Sequence, residues 1–375
     1  MSAPGHVAAG TWSGGRFMHF GEPLDDDRLV TLLTPGDGID TVVSADAYGA
    51  GEADTLLGRA LAGADRDAYS LIGAVGHDFY EGEREGAKGF PRFTDPRLRG
   101  EAEYASYLRM AAERSLERLG VDAFDVLLLH NPDRTGYTSA AVWEGMAALR
   151  DAGLTQAIGV APGPANGFTL DVIDCLERFG ALIDWAMVIL NPLEPWPGEL
   201  VLPAAERNDV SVLARVVDYG GLLWGDVAAG HAFPKFDHRG FRPDGWVEAG
   251  LQRMAALAPI AARHDLTPLQ LAVQWDLAHP AVACAAPTLI QEPGSERSIE
   301  DKRAELAATP REVVLSADEV AEIRAIGDNT GSMVLKGASH AYDGDPVADR
   351  WPLDAELREL ATRWGIDPER DLAKR

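Results

Sequence analysis

Short apolar runs alternate with amphipathic segments along most of the chain. The runs carry Val, Ile, Leu and Ala at consecutive positions, which is typical of parallel strands that are buried on both faces. We predict strands at 7–10, 39–44, 70–75, 124–130, 157–161, 186–190, 210–216 and 281–287. Helical periodicity separates the strands, as it does in successive βα units.

Two of the intervening helices have recognisable ends. Apolar residues recur on one side of the segment Tyr104–Leu119, and Gly120 follows as a C-terminal cap. A second helix is predicted over 269–277, where Thr267 is the N-cap and Pro268 stands at the first helical position.

Eight strands with helices between them and no internal break predict an α/β fold, a single-domain (β/α)8 TIM barrel over residues 1–338. The alternative is an open doubly wound sheet, but no Gly-rich fingerprint follows an early strand. Long loops follow the third strand (76–100) and the seventh strand (219–246), at the barrel end where such enzymes keep their active sites. The polar tail, 339–375, is predicted to be an extension packed on the barrel, with a short helix at 353–364.

The charge balance limits the partners of the protein. The chain has 34 Lys and Arg against 59 Asp and Glu, a net charge of −25, which disfavours nucleic acid and anionic membranes. The two cysteines, Cys175 and Cys284, form neither a metal spacing nor a disulfide framework. We find no signal peptide and no membrane-spanning stretch, so we expect a cytoplasmic protein that acts on a small molecule.

Four segments together carry a resemblance to a known family. The segments GIDTVVSADAYGAGEADTLLGRAL, RSLERLGVDAFDVLLLHNPD, AALRDAGLTQAIGV and LARVVDYGGLLWGD resemble the aldo-keto reductases, in the same order, over residues 10–327. The resemblance implies a (β/α)8 barrel that moves hydride between NAD(P)(H) and a carbonyl group.

The resemblance also implies a catalytic tetrad of Asp, Tyr, Lys and His, of which half is present. Tyr48, before Gly49, matches the tyrosine, and His130 in LLLHNPD matches the histidine. The expected Asp position holds Val43, and the expected Lys position on the third strand holds Ala74. Asp and Lys form a buried ion pair in the family, so losing one alone would leave a charge unpaired at a cost of about 3–5 kcal/mol, whereas losing both leaves none.

These replacements bear on the chemistry of Tyr48. Without a nearby cation its phenol is expected to keep an ordinary pKa of about 10, so it can donate a proton but is a poor base at neutral pH. His77, three residues past the vacant Lys position, could partner Tyr48 or act as a base, or it could be a loop histidine bonded to the backbone. Lys88 in the same loop could supply the missing cation.

The nicotinamide contacts implied by the resemblance are altered as well. Ala161 and Pro162 stand where the family has a Ser-Asn pair, and Met187 stands where it has a Gln. Arg215 matches an arginine that some members use beside the nicotinamide.

The adenosine end of a cofactor site is also implied. The segment PTLIQEPGSERSIEDKRAEL resembles the adenosine-phosphate segment of the family, with Ser295, Arg297 and Lys302 as candidates for binding NADP or NAD. A helix N-terminus near Ser298 would suit a phosphate.

Other polar and aromatic residues are expected at strand ends or in loops near the barrel mouth. Their residue types suit a polar, hydroxylated or anionic substrate, although any one of them could instead cap a helix or anchor a loop. The substrate-binding candidates are Trp12, Asp133, Arg134, Asn191, Trp196 and Arg239.

Three functions are consistent with the sequence. The first is an NAD(P)-linked oxidoreductase for a small carbonyl or sugar-like substrate, with Tyr48 as acid and His130 polarising the carbonyl. The second is a non-redox lyase or isomerase in which Tyr48, His130 and His77 transfer protons. The third is a non-catalytic binding subunit. The vacant Asp–Lys pair favours the second and third.

Overall fold

Eight parallel strands form one sheet in chain order in the computed structural model, which describes residues 3–84, 89–163, 168–242, 244–330 and 353–372. The strands are β1 (Ala9–Gly10), β2 (Thr41–Val43), β3 (Ser70–Val75), β4 (Phe124–His130), β5 (Thr155–Ala161), β6 (Trp185–Ile189), β7 (Ser211–Arg215) and β8 (Val282–Ala286). All eight predicted strands are present, and most are shorter than or equal to the predicted segments.

The sheet closes into a barrel where the chain before β1 meets β8. The Ala8 N–H donates to the carbonyl of Ala285 at 3.0 Å, and the Ala285 N–H donates to the carbonyl of His6 at 2.9 Å. Val7 pairs with Ala285 in a parallel bridge. The predicted (β/α)8 barrel is therefore confirmed, because an open sheet would leave β1 and β8 as separate edges.

Helices surround the strands. Those in the described residues are α1 (Asp26–Leu33), α2 (Glu52–Leu61), α3 (Tyr104–Leu119), α4 (Arg134–Thr138), α5 (Ala140–Asp151), α6 (Thr169–Phe179), α7 (Leu202–Arg207), α8 (Trp246–Arg263), α9 (Pro268–Leu277), α10 (Ile299–Ala307), α11 (Ala317–Ile326), α12 (Ala355–Arg363) and α13 (Pro368–Asp371). The α3 helix has the predicted ends, and α9 begins at Pro268 behind a Thr267 cap. None of these helices is both long and apolar enough to cross a bilayer.

Two apolar cores follow from the alternation of side chains along the strands. One lies between the sheet and the surrounding helices and includes Leu71, Leu127 and Leu129. The other fills the barrel interior, with Trp12 and Tyr48 packed against it. Its buried members are Ala8, Val43, Ala45, Ile72, Ala74, Val126, Leu128, Ala161, Met187, Leu213, Cys284 and Ala286.

Buried arginines hold both long loops in place. In the loop after β3, Arg99 is 8% exposed and makes an ion pair with the fully buried Asp78. In the loop after β7, Arg239 makes ion pairs with Asp237 and with Glu292, which follows β8. Each pairing satisfies buried charges and fixes its loop at the C-terminal end of the strands.

The described part of the tail, 353–372, contacts the barrel. Leu357 and Leu360 of α12 are buried in the outer core. Glu356 of α12 accepts a hydrogen bond from Arg134 at 3.2 Å. The segment 339–352 of the predicted extension lies outside the described residues, as does Lys88.

Candidate active site

Tyr48 stands in a tight turn at the mouth of the barrel. The turn spans Tyr48–Gly51, directly after the chain leaves β2, and Ala50 and Gly51 have positive φ angles of 51° and 98°. Gly51 fits this backbone because it has no Cβ. The ring of Tyr48 packs against the interior core, so its phenol faces the space enclosed by the strand ends.

His130, the last residue of β4, contacts Tyr48 directly. The two rings meet edge to face with their centroids 5.7 Å apart. The Nδ1 atom of His130 is buried and has no hydrogen-bond partner within the described chain. Burial lowers the pKa of His130 well below its usual value, and the nearby His77 and Arg92 lower it further. The imidazole is therefore neutral at pH 7 and can offer one N–H and one lone pair.

His77 lies on the other side of His130. Their ring centroids are 5.0 Å apart. The Nδ1 atom of His77 is 3.0 Å from Nη1 of Arg92 and 3.1 Å from the carbonyl of Phe90, and its Nε2 atom is 3.1 Å from Nδ2 of Asn131. Burial, assisted by Arg92, lowers the pKa of His77 to about 3. His77 is thus a neutral group held by its loop, and its ring contact is with His130.

Arg92 was missed by the sequence analysis. It pairs with His77 in an antiparallel bridge across the loop after β3, and its Nε atom donates to the carbonyl of Asn131. This fold-back places a guanidinium group beside both histidines. The segment has neither helical nor strand periodicity, so the sequence gives no signal for it.

Val43 and Ala74, at the positions predicted from the resemblance for the tetrad Asp and Lys, face the barrel interior. Val43 and Ala74 are 1% and 5% exposed and belong to the same apolar cluster that Tyr48 contacts. Burial raises the pKa of Tyr48 and the charge of Arg215 opposes the rise. Tyr48 therefore stays protonated at neutral pH.

Asp46 does not take the place of the missing carboxylate. Alternation turns its side chain away from the interior face of Val43 and Ala45, and its electrostatic neighbours are Asp54 and Arg118 behind the strand. Burial and the neighbouring Asp54 raise the pKa of Asp46 well above the usual value, which favours its neutral form.

Arg215 ends β7 and points into the barrel mouth. Leu213, two residues earlier, lies in the interior cluster, and alternation gives Arg215 the same orientation. Its Nη2 atom donates to the carbonyl of Gly163 at 2.8 Å and lies 3.4 Å from that of Pro162. Its Nε–H is buried without a partner in the described residues, so this donor suits a carboxamide or carboxylate oxygen of a bound molecule.

Trp12 adds an aromatic surface to the mouth. A Cβ atom on Gly10 would lie only 2.4 Å from the indole ring, so the ring rests against the backbone of β1. Trp12 is partly exposed and also borders the interior cluster.

Two other substrate-binding candidates have structural partners. Asp133 caps α4, because its carboxylate accepts from the Gly136 N–H at 2.8 Å. Asn191 is fully buried; it donates to the carbonyl of Val216 at 3.0 Å and accepts from the Leu193 N–H at 3.0 Å. Both side chains hold the backbone at strand ends, and we do not carry them into the proposed site.

Three more candidates are held by charged or C-terminal segments. Arg134 pairs with Asp171 at 3.1 Å and Asp174 at 3.0 Å, in addition to its contact with α12. Trp196 is 2% exposed, and its indole N–H donates to the carbonyl of Asp371 at 2.6 Å. Arg239 is held in the buried ion pairs of the loop after β7. These contacts occupy the groups through which a substrate would be recognised.

The segment after β8 is also internally paired. Ser295 accepts from the Arg297 N–H at 3.2 Å, Arg297 makes an ion pair with Glu305, and Lys302 donates to Asp226 at 2.6 Å. The structure thus brings the three predicted cofactor residues together, with carboxylates bound to two of them.

Comparison of the sequence with known proteins matches the chain to one protein family. A sequence model of the Aldo/keto reductase family matches residues 8–328, which covers the barrel. A D-threo-aldose 1-dehydrogenase from a Pseudomonas species is 28% identical over 267 residues, 68% of this chain and 76% of that protein. An aldo-keto reductase from Bacillus subtilis is 26% identical over 285 residues, 74% of this chain and 79% of that protein.

Solved structures share the fold. A glycerol dehydrogenase from Gluconobacter oxydans superposes with a TM-score of 0.64 at 23% identity, covering 93% of this chain and 95% of that one. An aldo/keto reductase from Klebsiella pneumoniae, solved with NADP and acetate, gives 0.57 at 21% identity, covering 87% and 92%.

Proposed function

The chain belongs to the aldo/keto reductase family, and on this premise we propose that it is a nicotinamide-dependent oxidoreductase for a small carbonyl or sugar-like substrate. The observation that carries the proposal is the contact between the protonated Tyr48 and the neutral His130 at the barrel mouth. A phenol and an imidazole side by side can both donate to one carbonyl oxygen.

In this proposal Tyr48 is the general acid and His130 polarises the carbonyl. The unpartnered Nδ1 atom of His130 leaves one side of its ring available for a substrate or for reorientation. Because both groups are neutral, they bind the oxygen more weakly in the ground state than after negative charge has developed on it.

The cofactor would be held from two sides. The buried Nε–H of Arg215 supports binding of the nicotinamide carboxamide, since this donor has no other partner in the described chain. The segment around Arg297 would hold the adenosine half. A bound nicotinamide would supply the hydride, and the buried apolar side chains of Ala161 and Met187 would help to exclude water from the site.

The substrate class rests on the aromatic surface and on the relatives. Trp12 offers a ring face at the mouth, which suits the CH groups of a sugar or another hydroxylated compound. A relative named for a threo-aldose and a structural neighbour named for glycerol support a polyol or aldose substrate.

The missing ion pair limits the rate. Among the described residues no Lys lies beside Tyr48, and the raised pKa of its phenol makes it a weaker acid and leaves little phenolate to act as a base at neutral pH. We therefore propose that the enzyme works better in carbonyl reduction than in alcohol oxidation.

The test is cofactor binding followed by turnover on aldoses and small aldehydes. NADH or NADPH fluorescence should change on binding with micromolar affinity. Tyr48→Phe should then lower kcat by about 100-fold or more, as expected for loss of a general acid, with cofactor affinity unchanged. The matched control is Tyr104→Phe, which removes a phenol bonded to the carbonyl of Thr94 away from the mouth. Full activity of Tyr48→Phe would exclude the proposed role.

A second candidate is a non-redox lyase or isomerase on the same residues. The observation in its favour is that the neutral His77 and His130 lie next to each other, with Tyr48 beside His130. Positions 43 and 74, where the family has its ion pair, hold apolar residues. Such an enzyme would turn over a hydroxy-carbonyl substrate without any nicotinamide. If the protein neither binds a dinucleotide nor turns over a substrate, the result would instead indicate a non-catalytic subunit.

A further inference from the structure

We propose that the segment after β8 selects NADH over NADPH, with Glu305 and Asp226 neutralising the cations that a 2′-phosphate would need. This inference rests on the proposed function, because it assumes that a nicotinamide dinucleotide binds at the barrel mouth.

Arg297 is committed to a carboxylate. Its guanidinium pairs with Glu305 and also donates to the carbonyl of Trp224. Glu305 is itself fixed, since its side chain accepts from the hydroxyl of Thr267 and its backbone carbonyl accepts from Gln270 at 3.1 Å. Releasing Arg297 to a phosphate would leave a carboxylate of low exposure without its cation.

Lys302 is still less available. Its side chain is fully buried, and its ammonium group donates to Asp226 at 2.6 Å and to the carbonyl of Ile290 at 2.6 Å. This pairing joins α10 to the loop after β7. A phosphate could reach Lys302 only if that loop moved. The lysine therefore holds α10 against the loop after β7.

The N-terminus of α10 is also occupied. The Asp301 N–H is capped by the hydroxyl of Ser298 at 3.1 Å, and the Ile299 N–H donates to Gln291 at 3.0 Å. Glu300 and Asp301 place two carboxylates in the first turn. They complement the positive end of the helix, so a phosphate there would meet like charge instead of free donors.

A ribose hydroxyl makes the opposite demand. It is uncharged and can donate to a carboxylate, which is how acidic residues recognise the 2′-hydroxyl of NAD in other nucleotide-binding folds. Glu305 is the carboxylate of this region that pairs with Arg297, and a carboxylate has lone pairs for more than one donor. The same side chain that repels the doubly charged phosphate can therefore bind the hydroxyl.

The experiment compares the two dinucleotides by fluorescence titration of the full chain. We expect the Kd for NADH to be at least about tenfold lower than that for NADPH. Glu305→Gln keeps the shape but frees Arg297, and it should shift the ratio of the two Kd values toward NADPH by about tenfold. Thermal unfolding verifies that the variants fold.

The matched control is Glu296→Gln, which removes the same charge from an exposed residue of the same loop. It should change the ratio by less than about twofold, because exposed charges are screened. NADPH binding as tightly as NADH, or Glu305→Gln matching the control, would overturn the inference and leave the proposed function standing. Binding of neither dinucleotide would overturn both.

Discussion

The surroundings of Tyr48 are largely apolar. Val43 and Ala74, at the positions predicted from the resemblance for the tetrad Asp and Lys, belong to the interior cluster against which the Tyr48 ring packs. His130 is the polar neighbour in direct ring contact, and it is neutral. At this scale the chemistry is that of a neutral phenol beside a neutral imidazole, with the guanidinium groups of Arg215 and Arg92 as the nearby charges.

An Asp–Lys ion pair at positions 43 and 74 should therefore make the Tyr48 phenol a better acid. We expect Val43→Asp or Ala74→Lys alone to destabilise the fold by about 3–5 kcal/mol, because each buries one unpaired charge. The double variant should recover part of that loss and raise kcat for carbonyl reduction at least about tenfold, since the new ammonium group favours the phenolate. Urea unfolding and steady-state kinetics measure the two effects.

The uncharged double variant, Val43→Asn with Ala74→Gln, is the control for the double substitution. It has nearly the same shape without the charges and should not gain activity. Equal kcat values for the charged and uncharged doubles would mean that a cation is not what Tyr48 lacks.

The sequence predicted single residues well where they lie on strands. His130 ends β4 and Arg215 ends β7, Val43 and Ala74 face inward, and Tyr48 lies in the turn that follows β2. Residues whose positions depend on a loop could not be located. Arg92 returns to His77 only through a turn without periodicity, and Arg134, expected at the mouth, is held by acids of α6 and α12 that are distant in sequence.

Among the elements, the strands and helices followed their local signals, including the predicted tail helix, which forms α12, whereas the docking of the tail depends on distant residues. The C-terminal end of α3 is set by Gly120, and α9 begins at Pro268, because helix ends depend on the residues immediately beside them. The seating of α12 and α13 depends on long-range contacts. Trp196, for example, meets Asp371 across 175 positions of the chain.

Arg134→Met separates a structural from a substrate-binding role at this scale. Arg134 joins Asp171 and Asp174 of α6 to Glu356 of α12, so its loss should destabilise the docked tail by about 1–3 kcal/mol. KM should change less than about twofold, because no bond to substrate is lost. Limited proteolysis of the tail, urea unfolding and kinetics report these effects.

The control for that variant is Arg109→Met, which breaks an exposed pair with Glu113 at 2.8 Å and should cost well under 1 kcal/mol. A large rise in KM with an undisturbed tail would return Arg134 to the substrate site.

For the whole molecule, the histidines buried under the mouth tie stability to pH. His77 has a pKa of about 3 in the folded state against 6.5 in the unfolded chain, so between these values the unfolded chain binds more protons. Stability is therefore fully present above about pH 6.5 and is lost as the pH falls toward 3. His130, with its pKa also lowered by burial, adds to the loss in the same direction.

We expect the contribution of His77 to the free energy of unfolding to fall by about 2 kcal/mol between pH 7 and pH 5, and His130 to add a loss in the same direction, as measured by urea unfolding at the two values. His77→Asn keeps a polar group beside Arg92 and should remove one of these contributions, which flattens the pH dependence even though the variant is less stable at pH 7. His19→Gln alters an exposed histidine and should leave the slope as it is. An unchanged slope in His77→Asn would mean that His77 is charged in the fold, which would remove the neutral pair of His77 and His130 on which the lyase or isomerase mechanism depends.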